Sequence, residues 1–225
     1  MNDQTLFSLR LSLQVACVAV VLLVITAVPL AHWFARHEFR GKRVLESVLS
    51  LPLVLPPTVL GYYLVVVLGA RGLVGGPIFR ATGWTFMFNW WGAVVAAMAV
   101  AFPLLFHMAR IAIGGVDREL EQAASAMGAS KLQVFRYITI PLARRGLLAG
   151  IALAFARAMG EFGATLMIAG NVPGKTNTMP LAIYNAFSAG RFSEANLLAA
   201  IYIALCLLVL VYISSGGLYR QAGRD

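Results

Sequence analysis

The sequence predicts an all-α protein that crosses a membrane several times, and its composition supplies the main reasons. Of the 225 residues, 60% are hydrophobic and only 12% are charged, about half the charged share of an ordinary soluble domain. Several apolar stretches are long enough to cross a bilayer as helices, which takes about 20 residues each. The net charge of +9 comes mostly from basic residues between these stretches. In a soluble protein such a charge would suggest a nucleic-acid partner. Here the basic residues between apolar stretches are explained by their role in setting membrane orientation, so we expect no nucleic-acid partner.

We expect a single domain over residues 1–225, embedded in the lipid bilayer. The five predicted membrane-spanning helices lie at 11–35, 44–69, 92–112, 146–169 and 194–215. The first apolar stretch is longer than the core of a signal peptide, so we expect it to remain as a span. A sixth crossing would require the aromatic-rich loop at 70–91 to dip into the membrane. Residues 180–189 are too few to cross and predict a short helix.

Basic residues predict the orientation of the spans. Four cations lie in the connector 36–43, and the densest basic region falls within 110–145. Loops rich in Lys and Arg remain on the cytoplasmic side of a membrane. We therefore expect the N-terminus outside and the C-terminus, with Arg220 and Arg224, inside.

The second predicted span contains a proline-rich break. Pro52, Pro56 and Pro57 cannot all sit in one regular helix, because each lacks an N–H and its ring clashes with the preceding turn. A broken helix is tolerated in a membrane only where the freed carbonyls meet protein or water. Pro56, Pro57 and Thr58 are therefore candidates for a path lining or a hinge. A kink that serves packing alone is the alternative.

The fourth predicted span carries two ionisable residues, Arg157 and Glu161. Charged groups inside a membrane are costly and face protein or a water-filled path. Since the two residues lie four positions apart, they share a helix face and can pair. They either fix packing as a structural pair or line the translocation path or a subunit contact.

The remaining polar residues indicate no catalytic chemistry. Cys17 and Cys206 lie within apolar stretches, where we expect small core residues and no disulfide. His107 has no second ligand at metal-binding spacing, so we expect an interfacial or hydrogen-bonded side chain and no metal site. Residues 169–176 are similar to a phosphate-binding loop, but Ala169 replaces its first glycine and a membrane helix precedes it. We therefore expect neither a nucleotide site nor a cofactor.

A helical hairpin is predicted at about 115–143, between the third and fourth spans. Asp117 can cap its first helix, and Gly128 can end that helix in the left-handed conformation. Ser130 begins a capping box that opens a second helix, and Pro141 is expected to end it. The first helix carries an apolar face formed by Leu120, Ala123, Ala124 and Met127.

This hairpin resembles the cytoplasmic loop of ATP-binding-cassette (ABC) importer permeases, whose pattern is E-A-A, three residues, G, nine residues, I, one residue and L-P. The matching residues are Gln122, Ala123, Ala124, Gly128, Ile138, Ile140 and Pro141. Gln122 stands in place of the glutamate, and Ile140 in place of the leucine. In that family the first helix of the loop docks into a groove on a separate ATPase subunit. The resemblance implies docking through Glu121, Gln122, Ala123, Ala124, Met127 and Gly128. A surface hairpin without a partner is the alternative.

Residues 51–63 and 171–176 resemble molybdate permeases within that family, and residues 156–164 resemble molybdate and sulfate permeases alike. The resemblance implies a type I importer fold, a homodimer, two ATPase copies, an external molybdate-binding protein and a place in the cytoplasmic membrane. It implies no enzymatic activity of the chain's own. Sulfate, thiosulfate and tungstate permeases are alternatives, although sulfate permeases are longer chains that form unlike pairs. A membrane enzyme acting on lipids would need a polar cluster at the interface, and a passive channel would need a ring of charges. The sequence predicts neither.

Overall fold

Every regular element that we describe is a helix, which confirms the all-α prediction. The computed structural model describes residues 3–217, except for the side chains at 210 and 212–217; Arg220 and Arg224 lie outside this range. The helices are α1 (Asp3–Arg36), α2 (Lys42–Val54), α3 (Pro57–Leu68), α4 (Gly75–Thr82), α5 (Trp90–Gly114), α6 (Arg118–Ala126), α7 (Lys131–Val134), a π-helical segment (Phe135–Thr139), α8 (Ile140–Met159), α9 (Gly163–Ala169), α10 (Met179–Ser188) and α11 (Phe192–Gly217).

The core of the bundle is formed by α1, α5 and α8, with α5 packed extensively against both of the others. Small residues allow this close approach, because membrane helices associate through packing rather than through the hydrophobic effect. A Cβ atom on Gly146 would lie 2.4 Å from the Cβ of Ala112, and one on Gly150 would lie 2.8 Å from the Cβ of Met108. The glycines of α8 therefore set its distance from α5.

Four helical stretches within the described residues are long and apolar enough to cross a membrane, and a bent pair makes a fifth. The four are Asp3–Arg36, Trp90–Gly114, Lys131–Met159 and Phe192–Val209. The bent pair is α2 with α3, which turn by 115° at the proline-rich break. The predicted break is thus present, but it reverses much of the direction of the span and is not a simple kink.

The predicted end of the second hairpin helix at Pro141 is wrong. The chain stays helical from Lys131 to Met159, and the N–H of Ile140 donates to the carbonyl of Phe135, five residues back. A proline ring clashes with the carbonyl four residues back in a regular α-helix. The wider π turn just before Pro141 relieves this clash and lets the helix continue.

The fourth predicted span is also interrupted where the prediction had it continuous. Helix α8 ends at Met159, residues 160–162 are not helical, and α9 begins at Gly163. The hydroxyl of Tyr202 in α11 donates to the carbonyl of Met159 and so satisfies one of the acceptors that the break leaves open. This break becomes part of the candidate site.

Smaller predictions meet mixed outcomes. The short helix expected at 180–189 is present as α10. Between α3 and α5, the loop contains the eight-residue α4, which is too short to cross the membrane. Both cysteines are free, and Cys206 is partly buried against the core. Cys17 is exposed on the outside of the bundle, so its predicted core position is wrong. An apolar position in a membrane helix can be covered by lipid instead of protein, which the sequence does not distinguish.

Candidate functional site

The hairpin is built as the local sequence predicts. The Asp117 carboxylate accepts a hydrogen bond from the Glu119 N–H at 2.9 Å and caps α6. Gly128, with φ of +90°, ends that helix in the left-handed region that favours glycine. Ser130 and Gln133 form a reciprocal capping box at the start of α7, with N···O distances of 2.8 and 3.3 Å. These caps make the turn between the two helices well defined.

One side of α6 is left uncovered in the single chain. Met127 is 84% exposed and Leu120 is 50% exposed, although both are apolar. Gln122, Ala123 and Gly128 are also exposed, whereas Ala124 is buried beneath them. Beside this surface lies a groove of about 380 Å³, lined in part by Ala124, Met127, Gly128, Gln133, Val134 and Tyr137. An uncovered apolar helix face next to a groove is typical of a surface that another protein covers.

Glu121 faces the other way, into the bundle. Its Oε1 accepts from Arg36 Nη2 at 2.8 Å and from the Thr139 hydroxyl at 2.6 Å, and its side chain is 14% exposed. The carboxylate is therefore not free to contact a partner in this structure. The sequence offered no signal for Arg36 or Thr139, because they lie 85 and 18 positions away from Glu121.

The ends of the proline-rich break and of the break after α8 meet at one junction. A Cβ atom on Gly163, the first residue of α9, would lie 2.9 Å from the Cβ of Pro57 and 3.4 Å from the nitrogen of Thr58. One turn into α3, a Cβ on Gly61 would lie 2.8 Å from the Cα of Ala164. The lack of side chains at Gly61 and Gly163 thus allows direct contact between α3 and α9. This contact brings together the two segments that were predicted separately as parts of the path, the proline-rich break and the region of the fourth predicted span near Glu161.

Arg157 and Glu161 form the predicted ion pair beside this junction, with 3.0 Å between Arg157 Nη1 and Glu161 Oε2. The second oxygen of Glu161 accepts from the Ala164 N–H at 2.8 Å, so the same carboxylate caps the start of α9. The Glu161 side chain is only 2% exposed, whereas that of Arg157 is 32% exposed. Pro56, Pro57 and Thr58 are exposed on the surface of the single chain.

Replacing Glu161 with alanine should destabilise the protein more than replacing it with glutamine. Glutamine loses the ion pair but can still accept the Ala164 N–H, whereas alanine loses the cap as well, at a further cost of about 1 kcal/mol. Thermal unfolding in detergent measures the difference. Glu194→Gln is the control, because it removes an exposed pair with Arg191. Equal unfolding midpoints for both Glu161 variants would contradict the capping role.

Polar contacts also attach α2 to α5. The Ser50 hydroxyl lies 2.8 Å from His107 Nε2, and Arg110 lies 3.2 Å from the Glu46 carboxylate. His107 is therefore hydrogen-bonded, as predicted.

In the connector before α2, a hydrogen bond from Lys42 and its positive charge lower the pKa of the exposed Glu38.

The segment at 169–176 that is similar to a phosphate-binding loop follows α9, a helix rather than a strand. The Thr176 side chain is already engaged, since its hydroxyl accepts from the Val172 N–H at 2.9 Å. Asn177 next to it accepts a hydrogen bond from Ser8 at 2.8 Å, which fastens this loop to α1. The geometry is that of a structural loop.

The sequence matches a family model and several named relatives. The family model described as "Binding-protein-dependent transport system inner membrane component" matches residues 8–224. The molybdenum transport system permease protein ModB of Escherichia coli (strain K12) is 44% identical over 94% of this chain and 93% of its own length. The putative molybdenum transport system permease protein YvgM of Bacillus subtilis is 43% identical over 90% of this chain and 89% of its own length.

A sulfate relative is more distant, and a solved structure shares the fold. The probable sulfate transport system permease protein cysT of Mesostigma viride is 30% identical over 95% of this chain and 79% of its own length. A bacterial alginate ABC transporter, solved with an alginate pentasaccharide-bound periplasmic protein, superposes with a TM-score of 0.76 at 13% identity. That match covers 96% of this chain and 78% of the other. The chain belongs to the family of inner membrane components of binding-protein-dependent transport systems.

Proposed function

We propose that this chain is the membrane-spanning subunit of an ATP-driven importer that carries molybdate across the cytoplasmic membrane. The observation that carries the proposal is 44% identity to a molybdenum permease along 94% of the chain, against 30% identity to the sulfate relative. In the proposed assembly, two copies of the chain enclose a path on a two-fold axis. Two ATPase subunits bind on the cytoplasmic side, and a molybdate-binding protein binds on the outer loops.

The distribution of charge supports an N-terminus outside and a C-terminus inside. Of the 18 Lys and Arg residues, four lie at 36–43 and six at 110–145. The ion pair between Arg36 and Glu121 puts both regions on one face of the bundle. By the positive-inside rule this face is cytoplasmic, and the hairpin then lies where an ATPase can reach it.

The uncovered side of α6 supports docking of the ATPase there. Gln122, Ala123, Met127 and Gly128 present the surface, and Ala124 lies beneath it. Burying Met127 and Leu120 against a partner would remove apolar area from water, at about 25 cal/mol per Å². Glu121 belongs to the proposed docking helix but points inward, so in this proposal it holds the helix rather than touching the ATPase.

The junction of α3 and α9 supports a path or hinge at Pro56, Pro57, Thr58, Arg157 and Glu161. Closure of the ATPases on ATP would draw the two hairpins together and rock the helices between inward-open and outward-open states. A ligand shifts such an equilibrium only by its differential affinity for the two states. The permease therefore needs only weak contacts with molybdate, and the binding protein supplies most of the selectivity.

Uptake of labelled molybdate tests the proposed substrate. The chain is expressed with its ATPase and binding protein in a bacterium that lacks its own molybdate permease. We expect uptake to be restored, to be blocked by unlabelled molybdate and tungstate, and to persist in excess sulfate. Cells without the ATPase are the control. Full competition by sulfate would instead assign the chain to sulfate transport, and uptake without the ATPase would contradict the importer mechanism.

A further inference from the structure

Arg36, the last residue of α1, contacts two other parts of the chain, the end of α5 and the hairpin, through one nitrogen atom. Its Nη2 lies 2.8 Å from Glu121 Oε1, 3.0 Å from the Ile113 carbonyl and 3.2 Å from the Val116 carbonyl, within hydrogen-bond distance of all three. Ile113 is in the last turn of α5 and Val116 lies just beyond it, where carbonyls run out of helical partners. The Arg36 side chain is 11% exposed. One largely buried guanidinium therefore joins α1, the end of α5 and the hairpin.

Thr139 completes this cluster from the π-helical segment. Its side chain is fully buried, and its hydroxyl donates to the same Glu121 oxygen that Arg36 contacts, at 2.6 Å. One oxygen of Glu121 thus accepts hydrogen bonds from both α1 and the segment just before α8. Hydrogen bonds to a charged acceptor are about twice as strong as neutral ones, so this oxygen is firmly held.

Apolar packing holds α6 only weakly. Ala124 is the one buried residue within the helix, and the other residues of α6 are exposed apart from the partly buried Glu121. A further polar link, from Arg118 to the Ala35 carbonyl, is long at 3.4 Å and exposed. The contacts of Glu121 are therefore the main polar side-chain attachment of this helix to the membrane-spanning bundle.

We infer that Arg36, Glu121 and Thr139 are positioning residues that make the hairpin move as one body with α1 and α5. The inference rests on the proposed docking of an ATPase at α6. A helix attached only by loose apolar contacts would tilt under the ATPase without moving the spans. Because Glu121 is hydrogen-bonded to both Arg36 and Thr139, a displacement of α6 is passed to the ends of α1 and α5. In this way ATP hydrolysis is coupled to transport.

The test measures coupling in the complete complex, reconstituted in proteoliposomes with the ATPase and the binding protein. Glu121→Gln keeps the shape of the side chain but removes its charge. We expect the ATPase to co-purify normally and to hydrolyse ATP, while molybdate carried per ATP falls about tenfold, the scale of a typical allosteric coupling. Arg36→Lys, which keeps the charge, should retain more coupling than Arg36→Gln. A residue that matters only for folding would lower the amount of complex and leave this ratio unchanged.

Glu38→Gln is the matched control, because it removes an ion pair of similar length, 2.6 Å between the exposed Glu38 and Lys42, in the connector before α2. Wild-type coupling in Glu121→Gln would overturn the inference. If that variant does not accumulate, Thr139→Val decides, since it removes only the hydroxyl bond. Wild-type coupling there would overturn the inference equally. Failure of the wild-type chain to bind any ATPase would instead overturn the proposed function.

A second measurement needs no ATPase. A spin label at Ala126→Cys, in a chain with Cys17 and Cys206 replaced by alanine, reports the mobility of α6. Glu121→Gln should increase the mobility of the label, and Glu38→Gln should leave the spectrum unchanged. An identical spectrum in Glu121→Gln would show that the cluster does not hold the helix.

Discussion

Gly128→Trp should abolish binding of the ATPase while leaving the permease folded. Gly128 has φ of +90°, and a Cβ there would meet nothing within 4 Å. The left-handed conformation costs a residue with a side chain about 1–2 kcal/mol, which is a local strain at a helix end. The indole, in contrast, would stand in the open space beside α6, where the partner is proposed to lie. Co-purification of the ATPase with tagged permease measures the loss.

Gly83→Trp is the matched control for this experiment. Gly83 also ends a helix, with φ of +69° and open space around its Cβ. It follows α4, in the loop between the second and third spans, which the proposed orientation places on the outer side. It should strain the backbone equally and leave ATPase binding intact. If Gly128→Trp still co-purifies with the ATPase at the wild-type ratio, the docking assignment is wrong. If both variants lose the ATPase, strain rather than docking is the cause.

Gly61→Leu should separate α3 from α9 and stop transport. A Cβ at Gly61 already falls 2.7 Å from the Met167 Cβ and 2.8 Å from the Ala164 Cα, so backbone atoms must move. Overpacking of this kind costs about 1–3 kcal/mol, which lowers an unfolding midpoint by about 5 °C in a chain of this size. Thermal unfolding in detergent and molybdate uptake are the measurements.

Gly114→Leu provides the comparison, because Gly114 is helical and a Cβ there would meet nothing within 4 Å. It should leave the midpoint unchanged or raise it slightly, since leucine favours a helix more than glycine does. An unchanged midpoint and normal uptake in Gly61→Leu would mean that the contact between α3 and α9 is not tight in the working protein.

Local signals in the sequence predict local structure well. The caps at Asp117 and Ser130, the left-handed Gly128 and the pair of Arg157 with Glu161 are all present. Each depends on residues within four positions of one another, where helix geometry determines which groups can meet. The all-α class followed from composition, because only helices and closed barrels satisfy their backbone groups inside a membrane.

Features that depend on distant contacts could not be predicted in this way. The ion pair between Arg36 and Glu121 joins residues that lie 85 positions apart in the sequence. The cap that Glu161 provides exists only because α8 stops at Met159 and α9 restarts at Gly163. The sequence predicts the proline-rich break, but neither its 115° angle nor the packing of α3 on α9 beyond it is visible in the local pattern. Pro141 is normally expected to end a helix, so it indicates a π segment only once the helix is known to continue past it.

The π segment between α7 and α8 also sets the rotational register of the docking surface. It holds one residue more per turn than an α-helix, and each helical residue advances the azimuth by about 100°. Winding the same five residues, Phe135–Thr139, as an ordinary α-helix would add about 100° of rotation and turn everything before them around the axis of α8 by roughly that angle. The direction in which α6 faces therefore depends on how this five-residue segment is wound.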